Sequence, residues 1–489
     1  RENIITLHKT KEGQNINSKA YKRLVFDEIC ANLLVLSKNR KKIKKKKRKK
    51  VFRFYYQKQI INNLVFKLTN SQKSVLTEIN NDLISETRMF RIIQGDVGSG
   101  KTIVSLLAAV NVIENNYQCA LMAPTEILAQ QHFILTKKIF KNTNIKIEIL
   151  TGKTERKKRE QIINDLEAGN INFLIGTHSL FQKKINFKNL GLVVIDEQHK
   201  FGVKQRISLT DKGDSNCDLL LMSATPIPRT LMLGVYGDMD ISKLTEKPKN
   251  REKILTYSKP ENKIEEIWKL VKKKIAENNQ VFWVCPLIDE SKIFDYSSAK
   301  KRFEQINKKF PNRTALLHGA INKDEKELIL EDFKNRKIDI LVSTTVIEVG
   351  VDFPNANVII IENANKFGLA QLHQLRGRVG RGHKQGVCIL LYKGHLTKNA
   401  TKRIKILKKT DDGFIISEED LKLRGFGDLL GYDQSGLKNF KLADPVHHAD
   451  LFEIAKKNID LLTENKLDLD KYNLLLKIFD KAEIINNRD

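Results

Sequence analysis

The sequence predicts an α/β protein made of two tandem parallel-sheet halves, with a helical stretch before them and a mostly helical tail after them. Three observations predict it. From about residue 88 short apolar runs alternate with amphipathic stretches, the pattern of strands buried between helices. The runs fall into two series separated by a polar, Pro-containing stretch. The length of 489 residues suits roughly three or four domains.

Taken in order, residues 1–65 stand apart. Residues 20–37, "AYKRLVFDEICANLLVLS", repeat apolar side chains at helical spacing (Leu24, Val25, Ile29, Leu33, Leu34, Leu36). The following stretch, "RKKIKKKKRKK" at 40–50, has ten basic residues in eleven. Such a tract reads equally as a DNA-backbone contact or as a solvated run of biased composition. In the first series, "FRIIQ", "CALMAP", "NFLIGT", "LGLVVID" and "LLLMSAT" read as strands, with helices such as "KTIVSLLAAVNVI" between them. The stretch "LTEKPKNREK" at 244–253 reads as a linker. The second series is "QVFWVCP", "TALLHG", "DILVST", "NVIIIE" and "GVCILLY". The expected division is therefore 1–65, 66–243, the linker 244–253, 254–400 and 401–489. The last part reads as helical except for the Gly-rich "GFGDLLGYDQSG" at 425–436.

Composition narrows the function classes. Lys and Arg number 87 against 58 Asp and Glu, a net charge of +29 that favours a polyanionic partner such as nucleic acid. A Lys-, Asn- and Ile-rich bias accounts for part of that excess. Five cysteines (30, 119, 217, 285, 388) stand singly, with no CxxC pair for a zinc ribbon and an odd count for a disulfide framework. A reducing, cytoplasmic setting is expected. No apolar run approaches the ~20 residues that cross a bilayer, so no membrane partner is expected.

The first half carries nucleotide chemistry. "GDVGSGKT" at 95–102 fits G-x-x-x-x-G-K-[ST] between a predicted strand and a predicted helix. Gly95, Gly98 and Gly100 would let backbone N–H groups approach phosphates, Lys101 would reach the β- and γ-phosphates, and Thr102 would hold Mg²⁺. "LVVIDEQHKFG" at 192–202 puts two carboxylates at the end of an apolar strand, where ligands of open α/β sheets gather. Asp196 would bind the metal, and Glu197 would orient water or accept its proton. Gln198 and His199 could sense the γ-phosphate or contact the second half. In "LMSATPIPRT" at 221–230, Ser223 and Thr225 could link the nucleotide end of the sheet to a nucleic-acid strand, although a plain turn before two prolines would look the same. In "FKLTNSQ" at 66–72, Phe66 could stack on a base or simply join the core, and Gln72 has the donor and acceptor an adenine edge needs.

The second half supplies cations. Glu348, Gly350 and Asp352 punctuate "TTVIEVGVDFPNA" at 344–356, and "QLHQLRGRVGRG" at 371–382 offers Arg376, Arg378 and Arg381 among glycines. Arginine suits phosphate oxygens because it is planar and always charged. Arg378 and Arg381 would serve as arginine fingers on the nucleotide that Lys101 holds from the other half.

Together these blocks resemble a superfamily 2 helicase core with two RecA-like lobes, over roughly residues 66–400. "DEQHKFGV", "SATPIPRTL", "TTVIEVGVD" and "QLHQLRGRVGRG" resemble more closely the RecG family of branched-DNA helicases. The resemblance implies an ATP- and Mg²⁺-dependent monomer that remodels forks and Holliday junctions in recombination and repair. It implies that Phe66 and Gln72 contact adenine and that Gln374 joins Arg378 and Arg381 in the site. "DLKLRGFGDLLGYDQSG" at 420–436 resembles the translocation motif that family shares with the transcription-repair coupling translocase, which places Arg424 and Gln434 with Ser223 and Thr225 in DNA coupling. Phe426 and Asp433 depart from the family's usual Pro and Arg. The chain opens at Arg1, and "ITLHKTKEG" resembles only the end of the family's N-terminal wedge domain. A duplex translocase that does not separate strands is the alternative. A DEAD-box RNA helicase fits less well, since "DEQH" replaces "DEAD". A DNA-binding relic without turnover fits poorly because every catalytic position is filled.

Overall fold

The structure is a computed structural model. It describes residues 18–43, 46–47, 50, 53–182, 184–197, 217–224, 226–228, 232, 239–248, 252–286, 292–344, 353–382, 384–429, 440–464 and 469–479. The first sheet has seven parallel strands in the order β3-β4-β2-β5-β6-β1-β7. They are β1 Phe90–Gly95, β2 Gln118–Met122, β3 Ile147–Leu150, β4 Phe173–Gly176, β5 Leu190–Ile195, β6 Asp218–Ser223 and β7 Asp240–Leu244. The second has six parallel strands, β10-β11-β9-β12-β13-β8. These are β8 Leu255–Pro260, β9 Gln280–Val284, β10 Thr314–Leu317, β11 Ile340–Ser343, β12 Ala356–Ile361 and β13 Val387–Tyr392.

Central strands are apolar on both faces because helices cover both. Along β5, Leu192 and Val194 enter one core while Val193 and Ile195 enter the other. In β12, Ile359 and Ile361 face one core and Val358 and Ile360 the opposite one. The first lobe's helices are α2 Tyr55–Asn63, α3 Asn70–Ile84, α4 Lys101–Ile113, α5 Glu126–Ile139 and α6 Arg156–Ala168. The second lobe's are α7 Ile264–Ala276, α8 Lys292–Lys309, α9 Lys323–Lys334 and α10 Leu369–Arg376. Then come α11 Lys398–Lys409, α12 Gly413–Leu429, α13 Ala449–Glu464 and α14 Asn473–Ile478. Helix α12 runs through Gly425 and Gly427, so the first part of the Gly-rich segment is helical rather than an exception to the helical tail.

The N-terminal helix α1, Lys19–Ile43, packs Val25, Ile29, Leu33 and Leu34 against Phe452, Ala455 and Ile459 of α13 and Leu476 of α14. Its buried Glu28 carboxylate accepts three consecutive backbone N–H groups, from Lys441 (2.5 Å), Leu442 (2.9 Å) and Ala443 (2.8 Å). Among the described residues of the polybasic tract, Lys47 and Lys50 are neither solvated nor free to meet DNA. Both are buried, and their ammonium groups lie 2.7 and 2.5 Å from the two oxygens of Asp218 at the start of β6. Lys50 also donates to the Gly191 carbonyl (3.0 Å) and stands 4.9 Å over the Tyr117 ring. These two lysines strap the end of α1 to the amino-terminal edge of the first sheet.

Candidate nucleotide site between two lobes

Strands β5, β6 and β1 are neighbours, so the loops leaving their carboxyl ends share one edge. The loop from β1 to α4 needs its glycines. Gly98 (φ 78°) and Gly100 (φ 90°) adopt the left-handed region. A Cβ on Gly95 would stand 2.5 Å from Ser99 Oγ and 2.9 Å from Leu244 Cβ, and one on Gly100 would strike the Gln72 amide. Lys101 opens α4, and its buried Nζ folds back onto the loop, donating to the carbonyls of Gly95 (2.7 Å) and Asp96 (2.8 Å). Burial pushes this ammonium's pKa down, against the pull of Glu197, Asp196 and Asp96. Thr102 is half-buried one residue on.

Asp196 and Glu197 follow β5. Burial pushes the Asp196 carboxyl up, but His132 Nε2 at 2.9 Å, the Lys101 charge and the Glu197 N–H (3.0 Å) together bring it below its ordinary value. Glu197 moves the other way: burial, then the neighbouring Asp196 charge, raise it, and Lys101 and Arg378 only partly offset them. Two adjacent carboxylates thus differ in proton affinity, the separation that acid–base chemistry uses. Glu197 also has φ 50°, a left-handed conformation that costs a non-glycine residue about 1–2 kcal/mol and is typical of strained functional positions.

From the second lobe, Arg378 (buried) and Arg381 (half-buried) follow α10. Arg381 Nε donates to the Gly377 carbonyl (3.2 Å). The Arg378 charge reaches Glu197 and the Arg381 charge reaches Lys101. A Cβ on Gly377 would lie only 3.4 Å from Val97 Cβ of the phosphate loop. The charges of Lys101, Asp196 and Glu197 in the first lobe and of Arg378 and Arg381 in the second therefore act on one another across the boundary between the lobes. Gln374 is half-buried on α10, one turn before Arg378.

Other expected residues sit differently. Phe66 is exposed on the stretch leading into α3. Gln72, expected at an adenine edge, is buried with both ends engaged: Oε1 accepts from Thr69 N (2.9 Å) in a capping box, and Nε2 donates to the Ser99 carbonyl (2.8 Å). It braces the phosphate loop. Ser223, expected as a nucleic-acid contact, is buried at the end of β6 in register with Gln94. Gln198, His199, Thr225, Glu348, Gly350, Asp352, Asp433 and Gln434 lie outside the described residues, as do the side chains of Arg424 and Phe426.

Sequence reasoning missed three partners. His132 on α5 holds Asp196. His373 on α10 reaches Asp96 in the phosphate loop (3.2 Å). Arg376, seen in the sequence only as one of three arginines, is buried and ties α10 to the end of α11, donating to the carbonyls of Leu407 and Thr410 (3.0 Å). The only sequence signal was the i, i+3 spacing of His373 and Arg376, whose side chains meet at 3.0 Å.

A phosphate loop and a carboxylate pair at the edge of one parallel sheet, faced by arginines from a second, define the core of a superfamily 2 helicase. Three family models match in sequence: a DEAD/DEAH box helicase over residues 56–233, the helicase conserved C-terminal domain over 262–383, and ATP-dependent DNA helicase RecG, domain 3, C-terminal, over 410–482. The ATP-dependent DNA helicase RecG of Aquifex aeolicus is 44% identical over 95% of this chain and 60% of its own length. That of Bacillus subtilis is 42% identical over 90% and 65%. A structure of RecG bound to a three-way DNA junction superposes with TM-score 0.75 at 42% identity, covering 89% of this chain and 57% of that one. Dbp5 of S. cerevisiae bound to RNA and ADP BeF3, at 19% identity, TM-score 0.53 and coverage of 76% of this chain and 92% of that one, shares the fold alone. The chain belongs to the RecG family, and it spans about 60% of the length of the curated relatives it matches. Among the described residues, no helix is long and apolar enough to cross a membrane.

Proposed function

We propose that the chain is an ATP-dependent DNA helicase and translocase that remodels branched duplex DNA, with lobes 66–243 and 254–400 working as a monomer in the cytoplasm. The observation that carries this reading is that Lys101 and Glu197 of one lobe lie within electrostatic reach of Arg381 and Arg378 of the other, with Gly377 set against Val97 of the phosphate loop. The RecG relatives, one of them solved on a three-way junction, support the choice of DNA. The +29 charge suits a polyanionic track.

The loop fits a triphosphate: left-handed glycines leave no Cβ at its mouth, and the buried Ser99 Oγ has no hydrogen-bond partner among the described residues. The depressed Asp196 carboxyl fits a divalent cation. Asp196 and Thr102 would hold Mg²⁺, which when bound supplies neutralisation of phosphate charge. Lys101 would leave the Gly95 and Asp96 carbonyls for the β- and γ-phosphates. Glu197, with its raised proton affinity, would orient water and take its proton. Arg378 and Arg381 would stabilise the charge that develops on the transferred group, which requires the lobes to close. Phe66 is exposed enough to stack on adenine, Gln374 would complete the site, and Arg424 and Gln434 would engage DNA.

ATPase rates measured with forked DNA, linear duplex and single strands test this reading. Greatest stimulation by forks, with strand displacement, is expected. Equal stimulation by linear duplex without displacement would favour a duplex translocase, and no stimulation by any DNA would refute both.

A further inference from the structure

We propose that Asp96 of the phosphate loop positions the helix that leads into the 420–436 segment, linking nucleotide state to that segment through one side chain. The inference rests on the function proposed above. Asp96 is buried, and it sits where the two lobes and the C-terminal part meet. Its Oδ2 accepts the backbone N–H of Gly413, the first residue of α12, at 3.2 Å. Its Oδ1 lies 3.2 Å from His373 Nε2, and Lys247 Nζ is 3.6 Å from Oδ2. Lys247 in turn donates to the Asp411 carbonyl (2.8 Å) and pairs with its carboxylate (3.1 Å), two residues before α12 begins.

A helix start leaves backbone N–H groups without internal partners and carries positive dipole charge, so a carboxylate there is favourable. The adjacent Asp412 serves Phe414 N (2.8 Å) and Ile415 N (3.4 Å). The N–H of Gly413 is served by Asp96, 317 residues away in sequence. The approach is so close that a Cβ on Gly413 would collide with Asp96 Oδ1 and stand 2.8 Å from His373 Nε2. Only glycine lets the carboxylate reach the helix.

The same residue faces the nucleotide. The Asp96 carbonyl holds Lys101 Nζ at 2.8 Å, a bond Lys101 gives up when it turns to a phosphate. The restraint on Asp96 therefore differs between empty and filled loops, while its carboxylate stays on α12. That helix has 17 residues, so it is a rod of about 25 Å at 1.5 Å per residue. Its far end, Leu429, lies inside the 420–436 segment. A contact that merely glued the lobes would not need a loop residue whose carbonyl and carboxylate serve these two different ends.

The test uses the full chain, Gly413→Ala and Asp96→Ala, with Asp96→Asn as the conservative variant that keeps an acceptor. Hydrogen exchange of amides 413–429 is measured without nucleotide, with ADP and with a non-hydrolysable ATP analogue. Affinity for a fluorescent ATP analogue and fork strands displaced per ATP hydrolysed are measured in parallel. The parent chain should show nucleotide-dependent exchange in α12. Gly413→Ala should keep nucleotide affinity within about twofold yet lose that response, with displacement per ATP falling about tenfold, within the range of ordinary inter-site coupling. Asp96→Ala should lose the response too, and Asp96→Asn should retain most of it. An α12 indifferent to nucleotide in the parent chain, or a full response in both Gly413→Ala and Asp96→Ala, overturns the proposal. Nucleotide binding without hydrolysis on any DNA would defeat the functional reading alone, because the exchange data would still decide the role of Asp96.

Discussion

Replacing Asp218 by Ala should destabilise the first lobe far more than any surface charge change. Asp218, Lys47 and Lys50 have side-chain exposures of 0%. One carboxylate serves two ammonium groups and also accepts the Met89 N–H at 2.7 Å. Burial already pushes the Lys47 pKa down, and Asp218 only partly restores it. Without the carboxylate, Lys47 keeps the Asp82 carbonyl and Lys50 the Gly191 carbonyl, both at 3.0 Å, but neither keeps its anionic partner. Breaking a buried ion pair by removing one partner costs about 3–5 kcal/mol, and an abandoned buried N–H adds about 1–3 kcal/mol. The expected loss is therefore at least about 3 kcal/mol, against about 0–1 kcal/mol for an exposed pair. Urea unfolding followed by fluorescence, with the transitions fitted separately because the chain has several domains, measures it. Adding Lys47→Met and Lys50→Met to Asp218→Ala should recover most of the loss, since apolar replacements of buried ion clusters are often neutral. A loss under about 1 kcal/mol, the surface-pair range, would show that the lysines reach water and refute the strap.

The nucleotide site yields three further expectations and the coupling segment a fourth. Lys101→Ala should abolish ATP hydrolysis and leave DNA binding intact, checked by phosphate release and by filter binding. Arg381→Ala should lower kcat by at least about a hundredfold, as loss of an arginine finger does, with little change in ATP affinity by fluorescence titration. Because Glu197 is raised above 4.5 and would act deprotonated, ATPase activity should fall as pH drops through a value above that of an ordinary glutamate; Glu197→Gln, measured on its residual rate, should lack that limb. Gln434→Ala should leave DNA-stimulated hydrolysis in place and lose fork remodelling, read by strand displacement per phosphate released.

What the sequence made legible follows from burial. Central strands such as β5 and β12 are covered on both faces, so they stand out as unbroken apolar runs. Three strands not read from the sequence, β3, β7 and β8, are all sheet edges. Half-exposed edges take polar residues, as in "DISKL" and "LTYSKP", and lose the signal. The phosphate loop was legible because its glycines obey a local backbone requirement at fixed spacing. The contacts of His132 with Asp196 and His373 with Asp96 were not, because they depend on how distant helices pack. Lys47 and Lys50 show the same limit: in a tract of uniform charge, nothing local says which lysines find a buried acid.

The Glu28 clamp has a consequence for biogenesis. Its three backbone partners are made 413 to 415 residues later. At about 5–20 residues per second, the apolar stripe of that first helix waits on the order of 20–80 s for its cover. A ribosome stalled anywhere in the second lobe would leave the stripe bare, an invitation to chaperones. Residues made more than 400 positions apart thus meet in one knot of packing.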